Sequence, residues 1–279
     1  PDPLKLSVVL AAFHTSFNVC NTFILIWFIP QIERLVCYII KPKVNEMEDE
    51  FRLKYIGGNT ILETPELSVL EAQKEIQLFA QRIQKMFAFV RELLHTDNDA
   101  AFSKLFSRIE KYESISDNME LEIAKYLDNV GDAHLSDETK AKIRAMFREI
   151  TEIESIGDSC YNIARTINRK MSGKEDFTEK QYEHIEQMFE LTDDSLTQMI
   201  VMLSGRKDRL DINRSFNIEN EINNYRDQLK SQNINDMSSH EYTYAMGTAY
   251  MDIICECEKL GDYVINVVEA RMGTKQREA

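Results

Sequence analysis

Three segments of this chain space their acids in the same way inside helical sequence. Glu113 and Asp117, Glu154 and Asp158, and Glu258 and Asp262 are each separated by three residues. On an α-helix that spacing puts both carboxylates on one face, a turn apart, so each copy presents a two-pronged oxygen ligand. Aligned on the Asp, residues 109–127, 150–168 and 254–272 also share an Ile four positions before the Glu: Ile109, Ile150 and Ile254. The last two copies share a Gly just before the Asp, Gly157 and Gly261. A mid-helix Gly costs about 1 kcal/mol relative to Ala, so its recurrence at one register predicts close approach by a neighbouring backbone or ligand. A degenerate fourth copy, Glu219 with Asn223, lies on another helical stretch. A repeat of this kind calls for a helical fold built by duplication.

Caps divide the region into six helices. Thr64 with Pro65 opens the first, which runs to about His95. Asp99 opens the second, ending near Asn129-Val130-Gly131, and Ser136 before Asp137 and Glu138 opens the third, ended by Gly173. Thr178 with Gln181 reads as a capping box for the fourth, which ends at Ser204-Gly205. The fifth runs roughly over 209–232, and Ser238 with Glu241 reads as a capping box for the sixth, continuing to Met272-Gly273. The acid repeats fall on the second, third and sixth helices, and the degenerate one on the fifth. That is a three-helix unit duplicated, with the motif on the last two helices of each half. The expected class is all-α, a pair of antiparallel three-helix bundles over 64–273, although one irregular six-helix array would give the same local pattern.

On the third helix Ile150, Glu154, Asp158 and Tyr161 share a stripe beside Ile153, Gly157, Ala164 and Ile167, which puts the acids at or next to the core-facing side. Lone carboxylates there are costly, and a paired or metal-bound role resolves the cost. The candidate ligands are Glu113, Asp117, Glu154, Asp158, Glu219, Glu258 and Asp262. Hard oxygen ligands without matching His favour Mg²⁺, Ca²⁺ or Mn²⁺, with iron or zinc still open. Ferritin-like di-iron chemistry needs Glu-x-x-His on two helices, and Glu92-Leu93-Leu94-His95 alone qualifies. There is no Gly-rich phosphate loop or nucleophile elbow, and paired acids alone do not make a glycosidase, so no enzyme activity is expected. His134, His184 and His240 read as surface or capping residues.

The net charge of −14 is concentrated beyond residue 42, since Lys5, Arg34 and Lys41 outnumber Asp2 and Glu33 before it. An acidic body disfavours nucleic acid and suits cations or basic partners. The five Cys form no disulfide framework, and Cys255 and Cys257, two apart on a helix, point in different directions and read as structural thiols rather than a zinc pair.

Residues 6–29 contain no Lys, Arg, Asp or Glu. About 20 apolar residues cross a bilayer core, so the stretch is long enough to span, and Pro1-Asp2-Pro3 is no signal-peptide n-region. Arg34, Lys41 and Lys43 follow, which places the long C-terminal part in the cytoplasm. Its polar residues, among them His14, Thr15, Asn18 and Asn21, need partners from other helices in lipid. With no initiator Met, the chain is expected to be the C-terminal piece of a larger membrane protein: a last membrane segment over 1–42, a linker over 43–63 with Gly57-Gly58-Asn59 at its turn, and the helical domain over 64–273.

The acid motifs in a duplicated three-helix unit, above all Ile153-Glu154-Ser155-Ile156-Gly157-Asp158-Ser159-Cys160-Tyr161-Asn162-Ile163-Ala164, resemble the PhoU family. The resemblance implies a PhoU-like fold whose motifs bind metal clusters; Asn223 departs from it in the C-terminal half. Ala12-Phe13-His14-Thr15-Ser16-Phe17-Asn18 with Asn21-Thr22 is similar to the final membrane repeat of bacterial sodium-dependent phosphate cotransporters, some of which end in a PhoU-like domain. Leu62-Glu63-Thr64-Pro65 with Ala72-Gln73-Lys74-Glu75-Ile76 resembles their linker and first helix. This second resemblance implies sodium-coupled uptake of inorganic phosphate at the bacterial inner membrane, with sodium as coupling ion, the lipid bilayer as surroundings and a homodimer as one assembly. The Gln-Ser-Ser transport signatures are absent. His14, Thr15, Asn18 and Asn21 are then candidates for the substrate pathway. The leading expectation is a transporter's C-terminal fragment with a metal-binding regulatory bundle. The alternative is a signalling adaptor that contacts a separate transporter or kinase, and a metal-dependent phosphohydrolase is a third.

Overall fold

The computed structural model describes residues 9–19, 21–22, 53–56, 65–132, 135–173, 175–205 and 211–273. The chain divides into two compact units, Pro1–Glu50 and Phe51–Ala279. In the first, residues 9–19 and 21–22 are helical and exposed. Among the described residues no helix is long and apolar enough to cross a membrane. The span expected within 1–42 thus falls largely outside them.

In the second unit the described residues form six helices: α1 (Pro65–Leu94), α2 (Asp99–Gly131), α3 (Asp137–Met171), α4 (Glu179–Leu203), α5 (Ile212–Ser238) and α6 (Tyr244–Met272). Apolar periodicity explains each of the strong ones. On α2, Phe102, Leu105, Ile109, Tyr112, Ile115, Met119, Ile123, Leu127 and Val130 recur every three or four residues and all are buried. On α3 the same stripe runs Ile143, Met146, Ile150, Ile153, Ile156, Cys160, Ile163 and Ile167. Burying side chains of this size stabilises the fold by about 1.5–3 kcal/mol each. α1, α2 and α3 pack on one another, as do α4, α5 and α6. The two triplets join mainly through α3 against α6, and also through α1 against α4. This is the duplicated three-helix arrangement expected from the repeats.

The caps follow the sequence at most helix ends and depart from it at the starts of α2 and α6. Asn98, Ser136 and Thr178 cap α2, α3 and α4, and Thr178 with Gln181 forms the full capping box. Asp99, expected to open α2, is instead its first helical residue. Gly173 follows the end of α3, and Ser204 and Gly205 follow α4. Ser238 with Glu241 does not open α6. α5 runs on through Ser238, whose Oγ donates back to the Ile234 carbonyl at 2.7 Å. The chain then turns at His240 with φ +60°, and Thr243 is the cap of α6. Tertiary contacts explain the extra turns: buried Asn233 donates to the Gly247 carbonyl at 3.3 Å and accepts from Tyr242 Oη at 2.8 Å, pinning the end of α5 to the start of α6.

Two contact sets tie the halves together. Between α3 and α6, Arg271 Nη2 donates to Glu149 Oε2 at 2.8 Å and Asn266 Nδ2 to Glu152 Oε2 at 3.0 Å. Between α1 and α4, Phe87 meets Phe189 edge-on at 5.3 Å and Arg91 pairs with Glu186 at 3.0 Å. The segment 53–56 is strapped to α1 by Glu75, whose Oε2 accepts from the backbone N–H groups of Lys54 and Tyr55 at 2.9 and 2.6 Å. Ile56 seats in the core beside it.

A carboxylate cluster between the second and third helices

The close approach of α2 to α3 is set by Gly157. A Cβ there would lie 3.0 Å from Ser116 Oγ and 3.1 Å from Ile83 Cδ1. Gly261 plays the same part between α5 and α6, where a Cβ would meet Ile222 Cδ1 at 3.2 Å. Both repeated glycines therefore admit a neighbouring side chain, not the backbone or ligand that their recurrence suggested. The acid-bearing faces of adjacent helices come together as a result.

In the N-terminal half, Glu113, Asp117 and Asp158 each bring a carboxylate oxygen within 4.8 Å of the others. Glu154 and Glu120 stand alongside, close enough for their charge to act on this group. Repulsion and partial burial show in the titration of the cluster. Burial pushes the Glu154 carboxyl up to about 7, helped by the charges of Asp158, Glu120 and Asp117. Glu113 and Asp158 also rise, from burial first and their acidic neighbours next. Among the described residues, no Lys or Arg figures in the charges acting on these three. Hydrogen bonds orient the rim: Thr151 Oγ1 donates to Glu120 Oε1 at 2.8 Å, and Tyr161 Oη to Glu110 Oε1 at 3.1 Å.

The acids flank the apolar stripes, next to the core-facing side as the shared stripe on the third helix implies. Asp117, Asp158 and Asp262 are exposed, and Glu113, Glu154, Glu219 and Glu258 are half-buried. Glu113, Asp117 and Asp158, exposed or half-buried where α2 meets α3, are open to an ion from solvent. Three hard oxygen donors converging without a cation suit a divalent ion such as Mg²⁺ or Mn²⁺, and leave open positions for water.

The C-terminal half does not converge in this way. Glu219, Glu258 and Asp262 are near enough to influence one another, yet among the described residues their oxygens do not meet as a set within 4.8 Å. Asn223 Nδ2 donates to Glu219 Oε1 at 2.6 Å. Arg226 Nη2 donates to Glu258 Oε1 at 2.9 Å, and its Nη1 lies 3.2 Å from Asp227. Glu120, Thr151 and Arg226 were not among the residues that the motif spacing picked out. The register held a clue to two of them, since Glu120 and Arg226 both sit three positions beyond the second motif residue.

Elsewhere, His14, Thr15, Asn18 and Asn21 lie on the exposed helical stretch of the first unit, with Asn18 Nδ2 2.9 Å from His14 Nδ1. His184, expected at the surface, is half-buried against Tyr225 and Tyr250, its Nδ1 3.1 Å from Tyr250 Oη. Cys160 and Cys257 are buried and free, as structural thiols would be, while Cys255 is half-buried.

A model of the PhoU domain matches residues 76–167, the part that contains both acid motifs of the N-terminal half. The fold is similar to that of the phosphate transport system regulatory protein PhoU from Streptococcus pneumoniae, with 16% identity and a TM-score of 0.63. The likeness covers 75% of this chain and 95% of that one. No curated protein matches this chain.

Proposed function

We propose that this chain is a PhoU-type regulator of phosphate signalling that works by contact with a separate transporter or kinase, and that Glu113, Asp117 and Asp158 hold a metal ion. The observation that carries the metal reading is the meeting of three carboxylates in one seam where, among the described residues, the charges that act on Glu113 and Asp158 are acidic. The PhoU-like fold and the domain match over 76–167 support the regulatory reading. A bound ion would supply the missing positive charge and clamp α2 to α3. Glu154 and Glu120 would then adjust the charge seen by the ion or accept from its waters.

The test has two parts. Removing residues 65–273 is expected to change phosphate uptake or phosphate-starvation transcription in phosphate-replete cells, and D117N/D158N is expected to reproduce that change together with loss of bound metal. Unaltered uptake and transcription in both strains would refute the regulatory reading, and unaltered metal content by elemental analysis would refute the ligand assignment.

A second reading makes the bundle the cytoplasmic domain of a sodium/phosphate cotransporter at the inner membrane. It is favoured by one observation: residues 6–29 carry no charge, and Val9, Leu10, Phe13 and Phe17 are exposed on the described part of that run. Apolar surface of this kind calls for lipid or protein to cover it. An intact chain that stays monodisperse in buffer without detergent would exclude this version and leave the adaptor.

A further inference from the structure

The two halves match in the register of their motifs, keep Glu113 and Glu219 alike, and differ in charge at two places on α2 and α5. Ser116, Asp117 and Glu120 on α2 correspond to Ile222, Asn223 and Arg226 on α5. Glu154, Gly157 and Asp158 on α3 correspond to Glu258, Gly261 and Asp262 on α6. Asn223 trades one carboxylate oxygen of Asp117 for an N–H donor, and Arg226 places a cation where Glu120 stands. We propose that Arg226 serves as a built-in cation for the C-terminal half, so that this chain carries one metal site, between α2 and α3, where its duplicated architecture would allow two.

The geometry supports the assignment at each contact. Arg226 and Glu258 are three-quarters or more enclosed, and their 2.9 Å bond puts a guanidinium against the carboxylate that corresponds to Glu154. A charge-assisted bond of this length is about twice as strong as a neutral one. The Asn223 amide turns an N–H toward Glu219, so that carboxylate faces a donor where Asp117 would have offered a second oxygen. A metal ion entering here would meet a fixed positive charge and a donor hydrogen, and both would repel it. The donor set of the C-terminal half thus does not fit the ion that the motif spacing suggested for Glu219, Glu258 and Asp262. The consequence is a division of labour: the seam of α5 and α6 carries a resident cation against Glu258 and Asp227, whereas that of α2 and α3 takes its cation from solution.

This inference rests on the metal reading of the N-terminal cluster, and the experiment separates the two. The full chain and its variants are loaded with Mn²⁺, desalted, and bound Mn²⁺ is measured. E258Q/D262N is expected to leave bound Mn²⁺ unchanged, D117N/D158N to abolish it, and N223D/R226E to add about one further ion per chain. A fall in bound Mn²⁺ for E258Q/D262N would overturn the inference. A metal-free readout decides it independently. R226M leaves Glu258 enclosed and unpaired, so it should lower the melting temperature, and adding E258Q should recover most of that loss. If R226M melts like the native chain, Arg226 balances nothing and the inference fails. If no variant or native chain binds Mn²⁺ yet the R226M and E258Q effects hold, the N-terminal metal reading fails and the role of Arg226 stands.

Discussion

Replacing Arg271 with Met tests how the two halves are held. Glu149 on α3 is 1% exposed, and its Oε2 accepts from Arg271 Nη2 on α6 at 2.8 Å. Arg148 and Glu152 on α3, with Glu269 and Asn266 on α6, complete the polar seam. Burial pushes the Glu149 carboxyl from its ordinary 4.5 up to about 7, with Arg271 opposing the rise. Between those limits the folded chain keeps a proton that the unfolded chain has released. Stability from this group is therefore complete below about 4.5, falls as pH rises toward about 7, and levels off once Arg271 holds the anion. In R271M nothing holds the anion, so the fall continues past pH 7 at about 1.4 kcal/mol per unit. The native and R271M stabilities should run parallel up to about pH 6.5 and differ by about 2 kcal/mol more at pH 8.5. A constant offset from lost guanidinium packing lies beneath both values. Urea unfolding at the two pH values measures the divergence, and in an E149Q background it should vanish. A gap of equal size at both pH values would refute the reasoning.

Three further outcomes follow from local geometry. G261A should lower the melting temperature modestly, because the added Cβ would lie 3.2 Å from Cδ1 of fully buried Ile222, which must shift, and this offsets the helix-propensity gain over Gly; G247A should destabilise by about 1–3 kcal/mol, because its Cβ would lie 2.5 Å from Met237 Sδ and 2.8 Å from Met237 Cγ. E75A leaves the Lys54 and Tyr55 amides without their acceptor, at a cost of about 1–3 kcal/mol. Limited proteolysis should then cut near residues 53–56 sooner than in the native chain. Native alkylation read by mass mapping should modify Cys255 well before Cys160 or Cys257, both fully buried with thiols that burial pushes far up.

The helices were legible because their periodicity and their caps agree: Ser136, Thr178 and Gln181 mark ends in the sequence and make the expected bonds in the fold. The start of α6 was not, because Ser238-x-x-Glu241 and Thr243 are both acceptable local caps. The choice falls to Asn233, Tyr242 and Gly247, contacts across a turn that no window of sequence displays. The candidate site divides along the same line. Spacing of four shows which acids share a helix face, so Glu113 and Asp117 could be paired by inspection. Which faces meet is a matter of packing, and there the glycines carried the information: Gly157 and Gly261 each leave room for a side chain of the preceding helix where a Cβ would crowd it, which draws the acidic faces together. The same closeness makes the charge at the next turn decisive. Glu120 adds to the repulsion in one half and Arg226 offsets part of it in the other, so a single position three residues past the motif sets the charge of each seam.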